Sequence, residues 1–95
     1  MGGLVYKVEF LPEAQEHILS YKKAGNKIAL AKINRIIEDL KVHPEIGIGK
    51  PEMLKYERSG QWSREIDKKN RIIYTIDETT IIVIVLSAKG HYGDK

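Results

Sequence analysis

The spacing of apolar residues changes once along this chain, and that change limits the fold more than any other feature. From about Lys27 to Val42, Ala29, Ile33, Ile36, Ile37 and Leu40 recur at helical spacing as one stripe, while Lys32, Arg35, Glu38 and Asp39 lie elsewhere on the cylinder. Beyond Pro51 the period falls to two. Trp62 to Asp67 is predicted as a strand, and Arg71 to Ile76 as a second, with Ile72, Tyr74 and Ile76 on one face. Asp77-Glu78-Thr79 reads as the hairpin turn into a third strand, Thr80 to Ala88. That strand is almost continuously apolar from Ile81 to Leu86, which predicts a central position covered on both faces.

The first half completes the pattern. Leu4 to Phe10 alternates, with Leu4, Tyr6, Val8 and Phe10 on one side, as a half-buried strand does. Pro12 suits the first turn of a helix, with Glu13 and Glu16 near its positive end. Ala14, Ile18 and Tyr21 follow at helical spacing, and Gly25-Asn26 ends that helix. His43-Pro44 stops the second helix, because the residue before proline avoids the helical region. Pro44 to Pro51 is expected to be an irregular loop. The order β-α-α-β-β-β predicts an α+β fold, a curved antiparallel sheet with both helices on one face.

The chain of 95 residues has room for a single domain, residues 1–95. It holds no apolar run long enough to span a bilayer and no basic-then-apolar N-terminal pattern of a secretory signal. Cysteine is absent, so disulfides, thiolate nucleophiles and cysteine metal sites are excluded, in keeping with an expected cytoplasmic location. The three histidines have no spacing typical of a metal site, so neither metal nor other cofactor is expected. Gly47-Ile48-Gly49-Lys50 lacks the hydroxyl residue and the preceding strand of a phosphate loop.

The net charge is only +3, from 16 basic and 13 acidic residues. From Lys50 to Arg71, however, seven basic residues (Lys50, Lys55, Arg58, Arg64, Lys68, Lys69, Arg71) face four acidic ones, so this window holds the whole excess. Such a patch can bind phosphates by ion pairing and counterion release, although a charged stretch by itself is more often a solvated face.

The same window carries four short motifs in order. Gly49-Lys50-Pro51-Glu52-Met53-Leu54-Lys55 is followed by Ser59-Gly60-Gln61-Trp62-Ser63-Arg64, by Asn70-Arg71-Ile72-Ile73-Tyr74, and by a terminal Gly90-His91-Tyr92. Together they resemble the YoeB branch of the RelE-like toxins. The resemblance implies the toxin of a type II toxin–antitoxin pair, a ribosome-dependent endonuclease that cuts the messenger RNA in the ribosomal A site. It implies a YefM-like antitoxin, the ribosome and mRNA as partners, and a homodimer. Carried across by position, it makes Glu52, Arg71, His91 and Tyr92 the catalytic set. Lys50, Lys55, Arg58, Trp62, Arg64, Lys68, Lys69 and Lys89 then become candidates to face RNA or the ribosome.

These residue types suit metal-free RNA scission. Glu52 is an acceptor-only carboxylate when ionised, suited to the base, and His91 can carry a proton near neutral pH, suited to the acid. Arg71 offers a planar fork for phosphate oxygens, and Tyr92 can stack on a base or donate to the phosphate. Between Lys50 and Arg71, Glu52 is a weak base by itself, so cleavage is expected to need the ribosome. In the last strand, unbroken alternation would put Val83, Val85, Ser87, Lys89 and His91 on one face. The turn before it would set Arg71 across from Ala88 or a later residue, within reach of His91.

Plainer readings stand beside each of these. A loop glutamate is usually solvated, Arg71 at a strand start is often an ion-pair partner, and Trp62 is more often a core or edge anchor. His17 and His43 read as a helix-surface and a helix-end residue without a role. Glu65 stands where the family often has a second basic residue, Asn70 where it often has histidine, and Gly93-Asp94-Lys95 extends past the histidine–tyrosine pair. The competing functions are a non-enzymatic ParE-like toxin that inhibits a protein such as DNA gyrase, and an inactive RNA- or protein-binding module.

Overall fold

The structure, a computed structural model, describes residues 5–90. Strand β1 (Lys7–Phe10) leads into helix α1 (Pro12–Lys23) and helix α2 (Lys27–Val42). A loop then reaches β2 (Glu52–Met53), a 3-10 turn over Tyr56–Arg58, and the strands β3 (Trp62–Glu65), β4 (Arg71–Asp77) and β5 (Ile82–Ser87). The five strands form one sheet in the order β1-β5-β4-β3-β2.

Local chemistry sets these boundaries. Pro12 opens α1, where its missing N–H costs nothing. The amides of Gly25 and Asn26 return to the carbonyls of Lys22 and Tyr21, closing α1. The Asn26 side chain then caps α2 by accepting from the Ala29 amide at 3.1 Å. Asp77 organises the β4–β5 turn, its Oδ1 accepting from the amides of Thr79 and Thr80.

The core lies between the helices and one sheet face. Ala29, Ile33, Ile36 and Leu40 of α2 and Ala14 and Tyr21 of α1 pack with Ile72, Tyr74, Val83 and Val85. Fully burying each large aliphatic side chain contributes about 1.5–3 kcal/mol.

The α+β class, the element order and the two-helix layer agree with the sequence expectation, but three details differ. First, the sheet is mixed: β3, β4 and β5 run antiparallel, whereas β1 lies parallel to β5, pairing Lys7 with Ile82 and Phe10 with Val85. Short turns force consecutive strands to reverse, but β1 is separated from its partner by both helices, so alternation in β1 does not record its direction. Second, β2 is an additional two-residue edge strand, too short to leave a periodic signal. Third, β5 is closed by the core on one face only. Val83 and Val85 are fully buried, while Ile82 and Ile84 remain half-buried.

Candidate active site

The site is built on the sheet face opposite the core. On β3, Ser63 and Glu65 point to that face, because Trp62 and Arg64 point to the other. Glu52 of β2 pairs with Ser63, and Arg71 of β4 pairs with Glu65. Four polar residues from three adjacent strands therefore share one small patch. Ser63 is fully buried, and its Oγ lies 3.4 Å from Arg71 Nη1, so it steadies the guanidinium from below.

The loop before β2 explains why Glu52 is there. Gly49 (φ +82°) and Lys50 (φ +54°) both take left-handed conformations, which turn the chain onto the sheet edge just before Pro51. The Gly49 carbonyl accepts from the Glu65 amide at 2.6 Å, so pairing with β3 begins ahead of β2. A Cβ at Gly49 would stand 3.1 Å from the Glu65 carbonyl oxygen, tighter than ordinary contact. Lys50 is exposed, and its Nζ lies 3.7 Å from Glu65 Oε1.

The other side of Arg71 meets the end of β5. The Arg71 amide donates to the Gly90 carbonyl at 3.0 Å, and the Gly90 amide donates to Asn70 Oδ1 at 2.9 Å. His91 and Tyr92 lie outside the described residues. The register is one step later than unbroken alternation allows, because the β4–β5 ladder is irregular between Ile73 and Tyr74: Tyr74 faces Val85, but Ile73 faces Ser87. The irregularity inverts the face pattern expected for the end of the strand. Ser87 joins Ile73 on the Arg71 face, while Ala88 turns inward and is fully buried in the core.

The candidate RNA- or ribosome-facing cations separate into two groups. Lys50, Lys55, Arg58, Lys68 and Lys69 are exposed on the segments that flank β2 and in the β3–β4 turn. Arg64 is not available to RNA, which corrects the sequence expectation. It is fully buried, donating to Asp39 Oδ2 at 2.5 Å, to the carbonyls of Ile46, Ile48 and His43, and to the Tyr74 hydroxyl. Period two places position 64 on the core face, and a buried guanidinium persists only because every donor finds a partner. Trp62 also lies on the core face, half-buried, its ring 6.5 Å from that of Tyr74 and nearly parallel to it. It is a core anchor rather than an RNA platform. Lys89 leans on α1, with Nζ 3.3 Å from Ser20 Oγ and 6.0 Å from the centre of the Tyr21 ring.

Several residues with work to do carried no sequence signal of it. Ser63 under Arg71 and Asp39 under Arg64 are examples. His17 is another: its Nδ1 accepts from the Ala88 amide at 3.1 Å, which corrects its reading as a surface residue without a role. Tyr21 donates to the Ala88 carbonyl at 2.8 Å, and burial, aided by the charge of Asp67, pushes its hydroxyl up to about 12. Burial also raises the Tyr74 hydroxyl, against the pull of Arg64. At Asp67, burial works upward, but hydrogen bonds from Lys69 and Asn70 and the Lys69 charge outweigh it and hold the carboxyl below its ordinary range. Among the described residues, no His, Cys, Asp and Glu side chains cluster as a metal site would need, and no helix is long and apolar enough to cross a membrane.

Residues 10–92 match the model of the YoeB-like toxin of bacterial type II toxin–antitoxin systems. The chain belongs to this family. Toxin YoeB of Mycobacterium bovis is 41% identical over 85 residues, covering 90% of this chain and 96% of the relative. Among solved structures, a YoeB/ParE toxin from Agrobacterium tumefaciens superposes with a TM-score of 0.84 at 28% identity, covering 90% of this chain and 99% of that one. The YoeB–YefM heterotetramer from Staphylococcus aureus gives 0.78 at 32% identity, covering 92% and 98%. The two solved chains superpose over about nine-tenths of this chain, so the Glu52–Ser63–Arg71 patch sits on a fold shared with YoeB-type toxins.

Proposed function

We propose that this YoeB-family toxin is a ribosome-dependent, metal-free endoribonuclease that cuts messenger RNA in the ribosomal A site. The observation that carries the reading is the convergence on Ser63. Glu52 pairs with it across one edge, Arg71 reaches it from the other, and the backbone of Arg71 holds the residue that precedes His91.

In the reaction, the Glu52 carboxylate takes the proton of the RNA 2′-hydroxyl. The 2′-oxygen forms a bond to the adjacent phosphorus as the bond from phosphorus to the 5′-oxygen breaks. His91 gives its proton to the departing 5′-oxygen, leaving a 2′,3′-cyclic phosphate and a 5′-hydroxyl. Arg71 holds the charge gathering on the phosphate oxygens, and Tyr92 stacks on or donates to the substrate. Lys50, Lys55, Arg58, Lys68 and Lys69 supply nonspecific attraction to the RNA backbone. Glu52 is exposed on the isolated chain, in line with a site completed by the ribosome.

A YefM-like antitoxin and a second copy of the toxin are the proposed protein partners. The Staphylococcus aureus relative supports both, since it has been solved as a YoeB–YefM complex and as a YoeB dimer.

The test is end-chemistry mapping of a translated message treated with the wild type and with Glu52→Gln. Cyclic phosphate ends at A-site codons from the wild type, lost in Glu52→Gln, are expected. Equal cutting of naked and translated RNA would overturn the ribosome requirement. Growth arrest unchanged by Glu52→Gln and by His91→Gln, with intact message, would overturn the nuclease in favour of a ParE-like inhibitor.

A further inference from the structure

The segment after β5 is gripped from two sides. From α1, one helical turn apart, His17 accepts from the Ala88 amide and Tyr21 donates to the Ala88 carbonyl, so both backbone groups of a fully buried residue are engaged. From the β3–β4 turn, Asn70 Oδ1 accepts from the Gly90 amide while the Arg71 amide donates to the Gly90 carbonyl.

Asn70 is itself fixed. Its Nδ2 lies 3.1 and 3.2 Å from the two carboxylate oxygens of Asp67, and its amide donates to Asp67 Oδ1 at 2.8 Å. Its carbonyl accepts from the amides of Ile66 and Asp67. This network decides the amide orientation. A flipped side chain would set oxygen against the Asp67 carboxylate and NH2 against the Gly90 N–H. Asn70 is therefore locked with its one acceptor aimed at Gly90. Gly90 is exposed, and its amide would be satisfied by water without Asn70. The bond costs ordering and returns a fixed direction for the chain.

We propose that Asn70 is a positioning residue for the nuclease, fixing the backbone of Gly90, the residue before His91 in the chain, against Arg71. The proposal rests on the nuclease reading above. A proton donor displaced by an ångström loses rate but not binding, because the exposed lysines that attract the RNA backbone are untouched. Asp67 acts behind Asn70, holding its amide.

The test uses translating ribosomes with a defined message. Wild type, Glu52→Gln, Asn70→Ala and Asn70→His are compared for kcat and KM separately, with thermal melting and hydrogen exchange at the Gly90 amide as controls. Asn70→Ala is expected to lower kcat roughly tenfold or more, with KM within about twofold, melting little changed and exchange at Gly90 faster. In Asn70→His a ring nitrogen can accept from Gly90 as His17 Nδ1 accepts from Ala88, and most of the lost kcat is expected to return. An active wild type with an equally active Asn70→Ala would overturn the positioning role alone. So would a kcat loss matched by a KM rise, or one that histidine fails to restore. A wild type as inert as Glu52→Gln would overturn the nuclease reading and this role with it.

Discussion

Arg64 Nη1 lies 2.5 Å from Asp39 Oδ2, directly beneath the loop that carries the chain toward Glu52. The same guanidinium collects the carbonyls of His43, Ile46 and Ile48, and Asp39 Oδ2 also accepts from the Ile48 amide at 3.2 Å. One ion pair thus ties α2, the following loop and β3 together. Arg64→Ala would leave Asp39 and three carbonyls without their buried donor. It is expected to cost about 3–5 kcal/mol, a large share of the roughly 5–15 kcal/mol available to a small domain. Arg64→Lys keeps the charge but loses the fork, and is expected to cost about 1.5–3 kcal/mol. Urea unfolding measures both. A loss under about 1 kcal/mol for the alanine variant would show that the loop is held by other means.

Gly47 tests the same strut from the opposite side. Its φ is +127°, and a Cβ there would stand 1.7 Å from Asp39 Oδ2 and 3.1 Å from Arg64 Nη1. Gly47→Ala must therefore push the carboxylate off the guanidinium. It is expected to cost about 2 kcal/mol or more, and less in an Asp39→Ala background, where the carboxylate clash is gone and only the tight approach to Arg64 Nη1 and the backbone strain remain. A double-mutant cycle measures the difference. Equal costs in the two backgrounds would separate Gly47 from the ion pair.

These two residues also show where reading the sequence succeeds and where it stops. Period three-to-four and period two are imposed by burial against a core, so the α2 stripe and the Ile72-Tyr74-Ile76 face were legible. The patch was legible only as motifs: Glu52 and Arg71 stand out as residue types, but nothing in spacing tells that Ser63 links them. Arg64 was misread because a cation in a basic window looks like a phosphate ligand, while its strand parity, which points inward, was the better signal. The face of Ser87 and Ala88 was missed because one ladder irregularity inverts alternation, and that irregularity leaves no residue signature in β5. His17 looked like a helix-surface residue because its partner is a backbone amide 71 positions away.

Tyr21 gives the fold an alkaline limit. Its hydroxyl is raised from 10.0 to about 12, chiefly by burial and then by the charge of Asp67, and it must stay protonated to donate to the Ala88 carbonyl. Because the folded value exceeds the unfolded one, the contribution is complete below pH 10 and is lost as the pH rises toward 12. Urea midpoints are expected to fall over this range in the wild type and to fall less in Tyr21→Phe, which lacks the ionising group. Tyr74, also raised, persists in both proteins, so the comparison isolates Tyr21. Parallel pH dependence in the two would assign the alkaline loss elsewhere.

Glu65 sits among the cations that a phosphate would seek. It pairs across the ladder with Arg71, and its Oε1 lies 3.7 Å from Lys50 Nζ. A bound phosphate must compete with this carboxylate for both charges. Glu65→Gln keeps the size and the hydrogen-bonding oxygen but removes the competing charge. Lys50 is 85% exposed, so solvent and salt weaken its pair with Glu65, and an exchange of this kind is worth about 0.2–1 kcal/mol. On the proposed nuclease function, the expected result is a KM for programmed ribosomes about two- to fivefold lower, with a steeper loss of affinity as salt is raised, because one more cation would then meet the RNA. The effect should vanish in Lys50→Gln/Glu65→Gln if Lys50 is the cation released, and survive there if it is Arg71. A KM that rises in the single variant would mean that Glu65 orders Lys50 for the substrate instead of withholding it.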